Sequence, residues 1–444
     1  MPRLPIPDRP PFTLRARLLT PLGAGGYRYE ADARLDVDAA GRLAAVAGWD
    51  TSLPAGSEKV IDLRPWIVLP GMVDLHLHLP QLPNAGLGAG LDLLTWLDRY
   101  IFPLERTFDR TAAEQLAPAA FRAMAAAGTT TALMYGAVFE GSLDAAFEAA
   151  EAHGIRAVIG KVMMDRLRYD PKLDESRVLE VSLRQSADLI DRWHGRDNGR
   201  LRYAVTPRFA VSCTAEMLRE SAALARQTGT YWQTHLAEDR NEIQEVGRLF
   251  PDALDYTDVY DRAGGLSERA ILAHAIHLSE REISRLAETG SRIAHCPSSN
   301  LFLSSGTMPL ARYLDAGLVV GLGSDVSAGP DLSLFAVMRA GAYTQSGMRT
   351  MLSDPYPTLT PLEWLRLGSL EGARALKLED AIGSVEVGKE ADLIAVDPEL
   401  TAPIPGLEHG EPEDLASRLI FRSHPDMVRA AWVRGRLLEG PPGA

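Results

Sequence analysis

Eight short apolar runs of β type recur through the middle of the chain, and helical patterns separate them. They are MVDLHLH (72–78), TTTALMYG (129–136), RAVIGKVM (156–163), LRYAVTP (201–207), TYWQTH (230–235), AILAH (270–274), SRIAH (291–295) and LVVGLG (318–323). The stretches AAEQLAPAAFRAMAAAG and SLDAAFEAAEAHG between them carry helical spacing and end at glycine, as a helix C-terminus does. Strand alternating with helix eight times predicts an α/β fold, a TIM-like (β/α)8 barrel. Such a barrel takes ~250 residues, so a chain of 444 leaves material at both ends.

Those ends read differently. TLRARLLT, YRYEADARLDVD, RLAAVAGW and KVIDL precede the barrel, with DAAG (38–41) as a hairpin turn; ADLIAVD, VRAAWVRG and RLLEG follow it. No long helical period appears at either end. Each end is too short to stand alone, which predicts one small β-sandwich domain built from both. The expected boundaries are 1–66 and 386–444 for its two parts and 67–385 for the barrel. A final barrel-side helix opens at Thr360-Pro361-Leu362-Glu363, an N-cap, a first-turn proline and a capping-box glutamate. The tail GPPGA is expected to fray.

Lys and Arg number 46 against 59 Asp and Glu, a net charge of −13. Without a basic run, a nucleic acid is not the expected partner. Cys213 and Cys296 form no CxxC pair, which suits a reducing compartment. The start MPRLPIPDRPPF has no signal-peptide core, and nowhere do 18 apolar residues run together. The expected location is the cytoplasm, with no membrane partner.

Active sites of such barrels form where strands end at the C-terminal face. The first strand ends in His76 and His78. Side chains alternate along a strand, so these two share one face, about 7 Å apart along it, and Leu75, Leu77 and Leu79 share the other. The fifth strand ends in THLAE, giving His235 and Glu238; the sixth ends in His274; the eighth leads into GLGSD and Asp325. Imidazole and carboxylate without thiolate suit zinc or iron. The expected ligands are His76, His78, His235 and Asp325, with a coordination position open for water. A two-metal site would need a bridging group such as a carboxylated lysine at the end of the fourth strand. Arg208 stands there instead, and Lys161 sits inside the third strand, so one metal is expected. Glu238 reads as a proton shuttle or as a surface residue starting a helix. His274 reads as a fifth ligand, a hydrogen-bonding group at the reacting centre, or a structural histidine. His153, His194, His409 and His424 read as helix-end or tail residues, His277 as a helix cap, His295 as support for the site and Cys296 as packing.

PGMVDLHLH, THLAEDRNE, AILAH, IAHCPSSN and GLGSD resemble the amidohydrolase superfamily in its mononuclear deaminase and chlorohydrolase branch. More narrowly, HLHLPQ, LLTWLDRYIFPLE, GKVMMD, TPRFAVSC, YTDVYD and GSDVSAG resemble the guanine deaminases. The likeness runs from about Val68 to Asp397. It implies hydrolysis of guanine to xanthine and ammonia by a zinc-activated water, with one zinc per chain (Fe2+ as an alternative) and a homodimer. It also implies that the ligands are the residues named above. Glu238, His274 and Asp325 are then catalytic, and Gln81, Arg208, Phe209 and His274 contact the base. Ser298, Ser324 and Ser327 depart from residues common in the family without touching a proposed ligand. The arginine fork suits the O6/N7 edge of guanine, an amide can donate and accept on another edge, and a phenyl ring can flank a flat heterocycle. Trp96 belongs to a set with Leu93, Leu94, Leu97 and Tyr100 at helical spacing, which reads as core. The segment from Gln81 to Arg106 is a candidate lid. Two rivals remain: a related aminohydrolase acting on another purine, pyrimidine or triazine, and a catalytically inactive barrel scaffold.

Overall fold

The computed structural model describes residues 6–50, 60–170, 173–352, 355–404, 406 and 410–441; residues 1–5, His409 and most of GPPGA lie outside them. Four strands precede the barrel: β1 (Phe12–Pro21), β2 (Tyr27–Val37), β3 (Leu43–Gly48) and β4 (Val60–Pro70). Next come β5 (Met72–His78), β6 (Thr129–Tyr135), β7 (Arg156–Gly160), β8 (Val162–Met163), β9 (Leu201–Pro207), β10 (Tyr231–Leu236), β11 (Ala270–His274), β12 (Arg292–His295) and β13 (Val319–Leu322). The last three are β14 (Leu393–Val396), β15 (Val428–Val433) and β16 (Arg436–Leu437).

All eight predicted barrel strands are present. They pair in parallel from β5 through β6, β7, β9, β10, β11 and β12 to β13, while β8 extends the third strand against β9. The cylinder closes just past β13, where Asp325 N donates to His76 O at 2.7 Å and His78 N to Val326 O at 3.0 Å. A Cβ at Gly323 would lie 2.8 Å from His76 Cβ, so only glycine lets the eighth strand meet the first this closely.

Inside, Val73, Leu75, Leu133, Val158, Ala204, Tyr231, Ile271 and Ala294 form one apolar cluster with Ala373, Leu376 and Ile382 from beyond the barrel. Tyr231 Oη donates to Leu376 O at 2.6 Å, tying that plug to the fifth strand. The expected strict alternation along β5 fails at one place. The register between β5 and β6 shifts between Asp74 and Leu77. Leu75 stays with Val73 in the interior cluster, and the bulge puts Leu77 and Leu79 in the outer core. A bulge beside a site re-aims side chains, and here it turns His76 and His78 toward the barrel mouth.

The chain ends form one mixed seven-stranded sheet, in the order β16-β15-β14-β4-β1-β2-β3. Phe12 of β1 and Trp432 of β15 lie three strand steps apart, about 14 Å on a flat sheet. Their ring centroids are 6.3 Å apart, so the sheet curls over one apolar core. The turn at 38–41 forms as expected, with Gly41 N donating to Asp38 O at 2.9 Å. Thr360 and Glu363 complete the expected capping box. The C-terminal end departs from expectation, since Pro412–Phe421 is a helix. Leu415, Ala416, Leu419 and Ile420 form its apolar stripe and join the barrel's outer core rather than the sheet.

Arg156 opens β7 and reaches the sheet. Its Nε donates to Asp392 Oδ2 at 3.0 Å, and both side chains are almost fully buried. Arg156→Met strands the Asp392 carboxylate without its cation, so urea unfolding is expected to show a loss of about 3–5 kcal/mol.

Candidate metal centre and active site

The histidines at the strand ends converge. His76 and His78 have ring centroids 5.0 Å apart, and His76 and His235 4.8 Å apart. His78 Nε2 lies 3.1 Å from His235 Nε2. Asp325, beyond β13, brings Oδ1 to 3.2 Å from His76 Nε2 and 3.6 Å from His78 Nε2. Its other oxygen is 3.7 Å from His274 Nε2. Ligand atoms of His76, His78 and His235 lie within 4.8 Å of one another, as do those of His76, His274 and Asp325. Ligand atoms held at 2.0–2.2 Å from one ion stand roughly 3 Å apart, the spacing seen here.

The chemistry of the donors fits a metal as well. His76 Nε2 and His274 Nε2 are buried and make no hydrogen bond. Burial lowers the pKa of His76, and lowers those of His78 and His235 well below the usual histidine value. These imidazoles are therefore neutral, as metal ligands must be. His235 Nδ1 stands 2.5 Å from Arg208 O, and the carbonyl can only accept, so Nδ1 carries the proton and Nε2 faces the centre. His274 Nδ1 is fixed in the same way by Asn300 Oδ1 at 2.9 Å. Tyr135 packs its ring against His76, His78 and His235 at 4.6–4.9 Å.

Three of these positions carry a strained backbone: His274 at φ 70°, Asp325 at φ 48° and Ala237, just before Glu238, at φ 48°. Strain of this kind persists where the surroundings over-determine it. Gly329 N holds the Asp325 turn by donating to Asp325 O at 2.6 Å. Glu238 is 2% exposed and is not the surface residue that a helix start would give. Asp239 caps the helix Arg240–Leu249 in a capping box with Glu242, and Glu242 Oε2 also accepts from Glu238 N at 2.9 Å. Glu238 Oε2 thereby faces His274 Nε2 at 3.3 Å, and Ser305 Oγ donates to Oε1 at 3.3 Å. Burial pushes the Glu238 carboxyl well above its usual range, with Asp325 and Glu242 adding to it.

A chamber opens onto this centre, lined by His78, His235, Glu238, His274 and Asp325 together with Gln81, Arg208 and Phe209. Leu93, Trp96, Leu97, Leu303 and Ala328 complete its wall. Trp96 packs in the core as its spacing predicts, and its place in this wall adds a second role. It is buried, it donates Nε1 to Leu87 O at 2.9 Å, and it also bounds the chamber. Gln81 Nε2 donates to Glu105 Oε1 at 2.7 Å, and Arg208 Nη1 donates to Glu105 Oε2. The Arg208 guanidinium sits 5.2 Å above the Phe102 ring.

Sequence reasoning missed Glu105, Asn300 and Tyr135. Glu105 ends the quoted LLTWLDRYIFPLE, where an acid after IFPL was the available signal, and Asn300 closes PSSN. Other histidines stay outside the cluster. His295 is buried beside Trp364, and burial lowers its pKa to about 3. His277 is not a cap: its Nε2 meets Ser305 O at 2.8 Å, and Ser279 caps the next helix. Lys161 is buried between β7 and β8, where burial lowers its pKa to about 8, and it lines a different cavity. Cys213 and Cys296 are free and buried. No helix among the described residues is long and apolar enough to cross a membrane.

Comparison with known proteins agrees with this geometry. The chain is 39% identical over 385 residues to guanine deaminase of Escherichia coli, covering 86% of this chain and 84% of that one. The solved E. coli guanine deaminase superposes with a TM-score of 0.88 at 33% identity, covering 96% of this chain and 99% of that one. Guanine deaminase from C. acetobutylicum, solved with guanine bound in its active site, gives a TM-score of 0.88 at 28% identity over 96% of this chain and 99% of that one. A model of the amidohydrolase family matches residues 67–438, and with the barrel and its strand-end histidines this establishes that the chain belongs to the amidohydrolase family.

Proposed function

We propose that this hydrolase deaminates guanine to xanthine and ammonia with one bound zinc; Fe2+ is the other ion the ligand set suits. The observation that carries the reading is the single chamber in which Gln81, Arg208 and Phe209 face Glu238, His274 and Asp325. Similarity to the E. coli enzyme, and to the C. acetobutylicum enzyme with guanine in its active site, supports the substrate. His76, His78, His235 and Asp325 would hold a divalent ion, which when bound would bring the pKa of water down toward about 7.

The side chains do the rest. Gln81 and Arg208 hold the polar edges of the base, and Phe209 flanks its plane. C2, the carbon bearing the exocyclic amine, then faces the strand ends. Glu238 takes a proton from the attacking water and passes it to ring N3, relieving the charge that develops on the ring. The water oxygen bonds to C2, and a second proton through Glu238 converts the amine to ammonia, which leaves as the C2 carbonyl forms. His274, its Nδ1 tied to Asn300, orients the water with Nε2. Leu93, Trp96, Leu97 and Leu303 keep bulk water from the chamber.

Purified, zinc-loaded protein given guanine is expected to release xanthine and ammonia in equal amounts. Ammonia from adenine, cytosine or a triazine but not from guanine would favour a sibling aminohydrolase instead, and a metal-free chain would favour the scaffold. Arg208→Lys keeps a cation beside Glu105 but loses the planar fork. It is expected to raise KM for guanine about 10–100-fold with a smaller fall in kcat; an unchanged KM removes Arg208 from base recognition. The reading carries with it a cytoplasmic homodimer, checked by light scattering and cell fractionation.

A further inference from the structure

Glu105 is fully buried and does not itself line the chamber, yet one of its carboxylate oxygens takes Gln81 and the other takes Arg208. We infer that Glu105 is a positioning residue that decides which edge of a heterocycle the chamber accepts. A carboxylate only accepts hydrogen bonds, so the Gln81 amide nitrogen must face Glu105. Its Oε1 is thereby turned away from Glu105, where it accepts from Ser327 Oγ at 3.4 Å, and Gln81 lines the chamber. An amide oxygen has two lone pairs, and that long contact leaves one for a ligand N–H. Arg208 commits Nη1 to Glu105 and presents the remaining N–H groups of its fork.

One carboxylate therefore sets an acceptor and a donor side by side. Their complement is a lactam edge, a ring N–H next to a C=O, which guanine carries at N1 and O6. An amidine edge, an unprotonated ring nitrogen next to an amino group, mismatches both positions. It points a lone pair at Gln81 Oε1 and N–H at the Arg208 donors, and unpaired buried polar groups reject such a ligand. Glutamine at position 105 can donate as well as accept, so it frees Gln81 to turn its NH2 into the chamber.

The inference rests on the proposed reaction, and its test separates the two. 2,6-Diaminopurine keeps the reacting C2 amine of guanine and replaces the lactam edge by an amidine. Wild-type kcat/KM is expected to favour guanine by at least about 100-fold. In Glu105→Gln that ratio is expected to fall at least about tenfold, chiefly through a higher KM for guanine. An active variant with the wild-type ratio overturns the inference. Removing one partner of a buried ion pair also threatens folding, so a second measurement uses wild-type protein alone. Calorimetry on the zinc-loaded enzyme is expected to show hypoxanthine, with a lactam edge, binding at least about 100-fold more tightly than adenine, with an amidine edge. Equal affinities overturn the inference. Absence of guanine turnover with that preference intact overturns the proposed reaction and supports the edge assignment.

Discussion

Glu238→Gln is expected to keep bound metal at the wild-type level and to lower kcat about 10²–10⁴-fold. The substitution preserves volume, so the contact with Ser305 and the neighbouring His274 lose no packing. It removes only the carboxylate's capacity to take up and hand on a proton. Metal analysis of the purified variant and xanthine formation at saturating guanine measure the two halves of this statement separately. Near-normal turnover would send the proton through another group. Glu242, four residues on and also buried, does not supply that group, because its oxygens are engaged by Tyr256 Oη and by the backbone of Glu238 and Asp239.

His76→Ala is expected to lose both metal and activity. His76 is common to both candidate ligand groups, and its Nε2 has no other hydrogen-bond partner. Partners that merely orient a ligand cost about 10–100-fold in metal affinity when removed, and loss of the ligand itself costs more. Metal per chain after gel filtration is expected to fall below about a tenth of wild type. Full occupancy in that variant would contradict the ligand assignment. Asn300→Ala, which removes only the partner of His274 Nδ1, provides the comparison: turnover is expected to fall with the metal retained.

The barrel was legible because its signal is repeated. Eight apolar runs bounded by turn and helix residues each confirm the others, and the strand-end histidines then have one rim on which to meet. The parts that were not legible depend on departures from periodicity or on contacts across the fold. Leu75 and Leu77 fall on opposite faces because β5 bulges after Asp74, and alternation carries no mark of an extra residue. Glu105 became informative only when the fold set it behind Gln81 and Arg208, residues from two other segments of the chain. Trp96 has core spacing and a core environment, yet one side of it faces the chamber, a double role that helical periodicity does not distinguish. The helix at 412–421 was missed because its stripe of Leu415, Ala416, Leu419 and Ile420 is short and lies among strands.

The closing bonds between β5 and the loop after β13 have a consequence for timing. Ser324 N donates to Asp74 Oδ1 across 250 residues of sequence, so the seam cannot form until that length has been made. At 5–20 residues per second the ribosome needs roughly 12–50 s for it. During that interval the nascent chain already carries His76 and His78 but not Asp325. The rim therefore closes late and abruptly, with the last barrel strand, and a product terminated before it lacks the Asp325 carboxylate however well its earlier portion has folded.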